Sequence, residues 1–169
     1  MIDVSPNTPL DKFYSFDASS DSWFNELSTT AMTVGKGYII RGPESFSGAV
    51  KGYHEAVFVG VPNNGLVSIP VGATDTSNLI GNPYPSAIDA NLFINANNGI
   101  LEGTIYFWTH NTAINNNVYT SDDYAVYNSL GGVGTSASLS SGVNNTKPDG
   151  KNCFLLKLFL SLLSMVAEL

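Results

Sequence analysis

Short runs of aromatic and β-branched residues, bounded by Gly, Pro, Asn or Asp, recur along most of the chain, and this pattern predicts strands. Residues 12–17 (KFYSFD) and 37–42 (GYIIRG) form two such runs. Residues 56–61 and 66–71 form two more, flanking Pro62-Asn63-Asn64-Gly65. Asn-Gly tolerates positive φ, so the spacing predicts an antiparallel hairpin there. Residues 103–110 (GTIYFWTH) and 122–128 (DDYAVYN) are further strands. In the first of these, Ile105 and Phe107 share one face while Tyr106 and Trp108 share the other. Both faces are bulky, which predicts burial between two layers, with Phe107 and at least one of Tyr106 and Trp108 in the core. The polar residues 111–121 between them read as a surface loop.

One segment breaks the alternation. In residues 82–99 (NPYPSAIDANLFINANNG), Ser86 reads as a helix cap and Asp89 as a first-turn acid. Ile88 and Leu92 lie four apart on one face, and Asn98-Gly99 supplies a stop. Residues 129–150 are rich in Gly, Ser and Asn and read as a loop with one weak strand.

The end of the chain differs from everything before it. Residues 152–169 (NCFLLKLFLSLLSMVAEL) are strongly apolar, so the chain divides into a β-rich module, 1–151, and an aberrant tail, 152–169. Three readings of the tail compete. A spanning helix needs about 20 apolar residues, whereas this stretch is shorter and carries Lys157 and Glu168. An amphipathic helix fits a polar stripe of Lys157, Ser161, Ser164 and Glu168 at helical spacing. A shifted reading frame would explain an abrupt change of composition.

Composition narrows the setting. Apolar residues make up 43% and aromatics 11%, which suits a folded domain, while charged residues are only 12%. Fourteen acids against seven bases give a net charge of −7, and no Lys or Arg occurs between Lys51 and Lys147. Phosphate neutralisation needs basic side chains, so neither nucleic acid nor an anionic membrane is an expected partner. The single cysteine, Cys153, excludes an internal disulfide. The N-terminus lacks the basic start and apolar core of a signal peptide, so export would make this a piece of a longer chain.

Candidate chemistry is sparse. His54 and His110 lie far apart and in no metal motif, and surface or hydrogen-bonding roles suffice for both. Asp122 and Asp123, near Asn115, Asn116 and Asn117, offer hard oxygen ligands that Ca²⁺ would accept, although a solvated strand edge is the plainer reading. Asp89 and Glu102 form a conceivable glycosidase pair, for which the sequence gives no distance. Tyr106, Trp108, Tyr124 and Tyr127 would form a sugar-stacking platform if they faced outward together, but strand aromatics are more often core. No nucleophile motif is present.

Four motifs, GKGYIIRGP, NLIGNPYPSAIDA, GTIYFWTHNT and DDYAVYN, occur in this order between residues 35 and 128, within a resemblance that covers residues 4–151. Together they resemble a module of large secreted surface proteins of flavobacteria and other Bacteroidetes, which use the type IX secretion system. The resemblance implies an extracellular or outer-surface location and neighbouring domains in a longer chain. It also implies a closing Gly- and Phe-containing strand, which the tail replaces. The expectation is therefore a mainly β, antiparallel, sandwich-like domain with one short helix and an apolar helical tail. The expected function is a non-catalytic structural or adhesive module needing no cofactor. The alternative is a carbohydrate-binding module of a secreted polysaccharide-degrading enzyme.

Overall fold

The structure is a computed structural model that describes residues 1–44, 54–108 and 124–134, with the backbone of Leu158–Leu162 and Val166–Glu168. After a 3-10 turn at Ile2–Val4 come β1 (Phe13–Asp17), β2 (Ser22–Asn25), β3 (Ile39–Ile40), β4 (Ser68–Pro70) and β5 (Ser77–Ile80). The helix α1 (Ala90–Ala96) precedes β6 (Leu101–Trp108), β7 (Tyr124–Asn128), β8 (Gly131–Val133), β9 (Leu158–Leu162) and β10 (Val166–Glu168). The fold is mainly β with one short helix among the described residues, and every strand pairing is antiparallel.

In the three-stranded sheet, β2-β1-β3, a serine-containing turn joins β1 to β2. The Asp17 carboxylate accepts from the Ser19 amide, the Ser19 hydroxyl and the Ser20 hydroxyl. These bonds hold it below the ordinary carboxylate range. Phe13 and Ser15 alternate into the interior of β1. The buried Ser15 hydroxyl donates to Glu26 Oε1 at 2.7 Å, and Lys36 Nζ donates to the same oxygen at 2.9 Å. The inward polar position is thereby satisfied.

The larger sheet has the order β5-β9-β6-β7-β8. On one face α1 packs across it, burying Ala90, Phe93 and Ile94 against Ile80, Leu101, Ile105 and Tyr127. Each such large apolar side chain contributes about 1.5–3 kcal/mol when fully buried. The two sheets meet at a backbone seam. The Gly37 amide donates to Leu79 O, the Gly81 amide donates to Gly35 O, and Lys36 bridges Ile80. Residues 35–37 thus clasp the outer edge of β5 before the chain enters β3.

Two local expectations need correction. The cap of α1 is Asp89, whose carboxylate accepts from Asn91 N at 2.8 Å and Leu92 N at 3.0 Å. Ser86 instead lends its carbonyl to the Asn82 amide, and Leu92 is 69% exposed. A side-chain oxygen directly before the first helical residue reaches those amides, and Ser86 starts too early to do so.

The hairpin across residues 56–71 does not form. Residues 56–61 are outside any strand, and Val59 and Val61 are each 95% exposed. The intended turn is bound elsewhere: Asn63 Nδ2 donates to Pro83 O at 2.9 Å and the Tyr84 hydroxyl donates to Gly65 O at 2.7 Å. Pro62 also removes a ladder donor where the hairpin would begin. Only Ser68–Pro70 is a strand, and its partner is β10.

The tail's polar stripe of Lys157, Ser161, Ser164 and Glu168 lies outside the residues whose side chains are described, and only backbone is described at β9 and β10. Strand β9 lies between β5 and β6, antiparallel to both.

Candidate functional site

The register of β6 and β7 decides the fate of the four ring residues. Trp108 lies opposite Tyr124 and Tyr106 opposite Val126, so Tyr106, Trp108 and Tyr124 share one sheet face. That face continues through the pairing of Val126 with Val133 on β8. All three rings are half-buried. Neither Tyr106 nor Trp108 enters the core, contrary to expectation. Phe107 packs partly buried against the core, and Ile105 is fully buried. A sheet with a helix on one face leaves the other face only partly covered among the described residues.

Tyr127 does not join this platform. It pairs with Ile105 on the opposite face, is 5% exposed, and donates its hydroxyl to Asn91 Oδ1 of α1 at 2.8 Å. Tyr124 and Tyr127 are three positions apart, and in a strand an odd separation sends side chains to opposite faces.

The remaining candidates are scattered or outside the described residues. Asp122, Asp123, Asn115, Asn116, Asn117 and His110 lie outside the described residues, so the Ca²⁺ reading has no geometry to support it. His54 Nε2 is 2.9 Å from Val4 O in an exposed position. Asp89 is engaged as the helix cap, and Glu102 is exposed on β6. Among the described residues no three His, Cys, Asp or Glu side chains gather as a metal site would require.

Among the described residues the best-buried carboxylate is Glu26. Burial pushes its carboxyl up, but the hydrogen bonds from Lys36 and Ser15 and the Lys36 charge outweigh burial and hold it below the ordinary range. Lys36 Nζ also lies 5.3 Å from the centre of the Tyr38 ring. This cluster joins β1, the end of β2 and the seam, which is a fold-holding arrangement.

A second aromatic feature was not anticipated from the sequence. Phe16 and Trp23, opposite each other on β1 and β2, meet edge to face with ring centres 5.4 Å apart. Phe24 and Leu27 nearby are exposed. The signal was present in SWFN, where two aromatics are adjacent and so lie on opposite faces of a short strand.

No helix among the described residues is long and apolar enough to cross a membrane. Neither the curated proteins nor the solved structures contain a match to this chain. One family model matches residues 1–157, ending just before β9. The chain therefore belongs to the family described as Domain of unknown function (DUF8693).

Proposed function

We propose that this chain is a non-catalytic structural or adhesive module of a secreted or cell-surface bacterial protein, as its motifs' resemblance to Bacteroidetes surface proteins implies. The observation that carries the reading is the use made of those motifs. The glycines of GKGYIIRGP and NLIGNPYPSAIDA interlock at the seam through the paired bonds of Gly37 with Leu79 and Gly81 with Gly35. GTIYFWTHNT and DDYAVYN supply the paired β6 and β7, and the NPYPSAIDA segment supplies the cap of α1. Among their described polar side chains, Asn78, Asn82 and Asp89 bond backbone amides and carbonyls, as scaffold residues do. An epitope inserted in the parent protein should be removed by protease added outside intact cells. An epitope protected until the cells are lysed would overturn the surface assignment.

The face bearing Tyr106, Trp108 and Tyr124 favours a second reading, carbohydrate binding. Rings aligned on a strand pair present π faces and edges against which sugar C–H groups pack. Native electrophoresis through gels containing soluble polysaccharides checks this. Under this reading migration is retarded by at least one polysaccharide, and Trp108→Ala abolishes the retardation. Unretarded wild-type protein across a broad panel removes the reading.

A further inference from the structure

We propose that Asn64 is a chemical-modification site, where the folded chain converts the Asn64–Gly65 linkage through a cyclic imide to aspartyl and isoaspartyl forms and spares the matching Asn98–Gly99 linkage. The sequence contains the same local pattern twice. Asn63-Asn64-Gly65-Leu66 and Asn97-Asn98-Gly99-Ile100 differ only in the closing aliphatic residue. In both, glycine leaves the attacking peptide nitrogen unshielded, because no Cβ stands beside it. The local chemistry is therefore matched, and a difference in rate between the two reports the fold.

The fold treats the two sites differently. Gly65 N donates to Asn64 Oδ1 at 2.8 Å, so the side-chain amide of Asn64 is turned back onto the peptide nitrogen that follows it. That nitrogen and Asn64 Cγ are the atoms that must join, and holding reacting groups together removes part of the barrier. The turn is pinned on either side of the reacting unit. Asn63 Nδ2 donates to Pro83 O, and the Tyr84 hydroxyl donates to Gly65 O. Neither bond occupies the Asn64 side chain or the Gly65 amide. Asn64 and Gly65 are exposed, and a Cβ on Gly65 would meet nothing within 4 Å, so water and hydroxide reach the site.

The second pair lies in the stop of α1. The Asn98 amide donates to Asn95 O at 3.3 Å, and Asn97 O accepts from Ile100 N and Leu101 N, each at 3.0 Å. Asn97 is buried, with its side-chain amide donating to Phe93 O at 2.8 Å, and Asn98 forms a β-bridge with Leu101. Ring closure rotates the peptide unit between Asn98 and Gly99, and the bonds from Asn97 O span that unit and resist the rotation.

The conversion balances with water as the only co-reactant. Gly65 N gives its proton to solvent hydroxide and bonds to Asn64 Cγ. The Cγ–Nδ2 bond breaks, and the nitrogen leaves as ammonia after taking a proton from water. Water then opens the ring: attack at Cγ gives aspartate, and attack at the main-chain carbonyl carbon gives the isoaspartyl linkage. Both products add a negative charge. The second also adds one carbon to the main chain just before the carbonyl that Tyr84 holds.

The full chain, folded or unfolded in concentrated urea, is held in mildly alkaline buffer made with water enriched in heavy oxygen, then digested with chymotrypsin. Cleavage after Phe58 and Leu66, and after Phe93 and Leu101, puts the two asparagines in separate peptides for mass spectrometry. In the folded chain, labelled acid should accumulate about tenfold faster at residue 64 than at residue 98. In urea the two rates should converge. Asn64→Gln, whose longer side chain needs a larger ring, should remove the signal at residue 64 and leave that at Asn98 unchanged. A folded-chain ratio no greater than the ratio in urea, or no modification at residue 64, would overturn the proposal.

Discussion

Gly81 and Gly37 pack backbone against backbone: a Cβ built on Gly81 would lie 2.9 Å from Lys36 O and 3.5 Å from Gly37 Cα. On the other side, a Cβ on Gly37 would meet Leu79 Cγ at 2.6 Å and two backbone carbons of β5 at 3.0 Å. The seam between the two sheets therefore requires two glycines, distant in sequence, for close approach. Gly81→Ala should cost about 1–3 kcal/mol, as overpacking does, and Gly37→Ala a similar amount. Urea denaturation checks this through a lowered midpoint with unchanged slope. A Gly81→Ala chain as stable as wild type would refute the close approach.

Acid should loosen the same region. The folded carboxyl of Glu26 titrates below its unfolded value, because Lys36 and Ser15 hold the charged form despite burial. Its contribution is therefore fully present above the unfolded value of about 4.3 and is lost as pH falls through the lower folded value. Glu26→Gln should remove that part of the acid limb and cost about 1–2 kcal/mol near neutrality, since Lys36 is partly solvated. Stability measured from pH 2 to 7 for both chains checks the sign. Parallel curves would show that Glu26 does not carry the dependence.

The link between β7 and α1 gives a third expectation. Tyr127→Phe deletes the hydroxyl that reaches Asn91 while keeping the buried ring, and should cost about 0.5–1.5 kcal/mol. Tyr127→Ala should cost several times more, about 3–5 kcal/mol, by opening a cavity in the core. A double-mutant cycle with Asn91→Ala isolates the bond. Zero coupling in that cycle would mean that the hydroxyl and the amide oxygen do not interact in solution.

Local pattern was sufficient wherever packing and propensity agreed. The aromatic and β-branched runs around Phe13, Ile105 and Tyr127 became β1, β6 and β7, each paired with a neighbouring strand as its residue types favour. The strands around Trp23 and Leu79 were hidden, since Ser22, Asn25, Ser77 and Asn78 are residues that ordinarily mark turns. At Asn64-Gly65 the turn signal was real, but Pro83 and Tyr84 bind that turn and direct it away from a hairpin. Tertiary contact overrode local preference there. The separation of Tyr127 from Tyr124 could have been read from strand parity alone. The meeting of Gly37 with Gly81 could not, because a glycine shows the need for room without showing which backbone occupies it.

The cap of α1 offers the sharpest contrast between sequence pattern and geometry. Ser86 and Asp89 are both capping residue types within four positions, and only one of them reaches the first free amides. Asp89 accepts from both Asn91 N and Leu92 N, and α1 has only seven residues, so a large share of its unpaired donors depends on this one side chain. Asp89→Ala should therefore cost about 1–2 kcal/mol and, since α1 covers the core of the larger sheet, speed amide exchange at Ile94, Ile105 and Tyr127 together. Asp89→Asn keeps a capping oxygen and should lie close to wild type. Ser86→Ala should be nearly silent, because only the backbone carbonyl of Ser86 is used, in a bond from Asn82. Thermal melts of the three variants separate the two candidates: a larger loss from Ser86→Ala than from Asp89→Ala would place the start of the helix three residues earlier and would undo the assignment of Asp89.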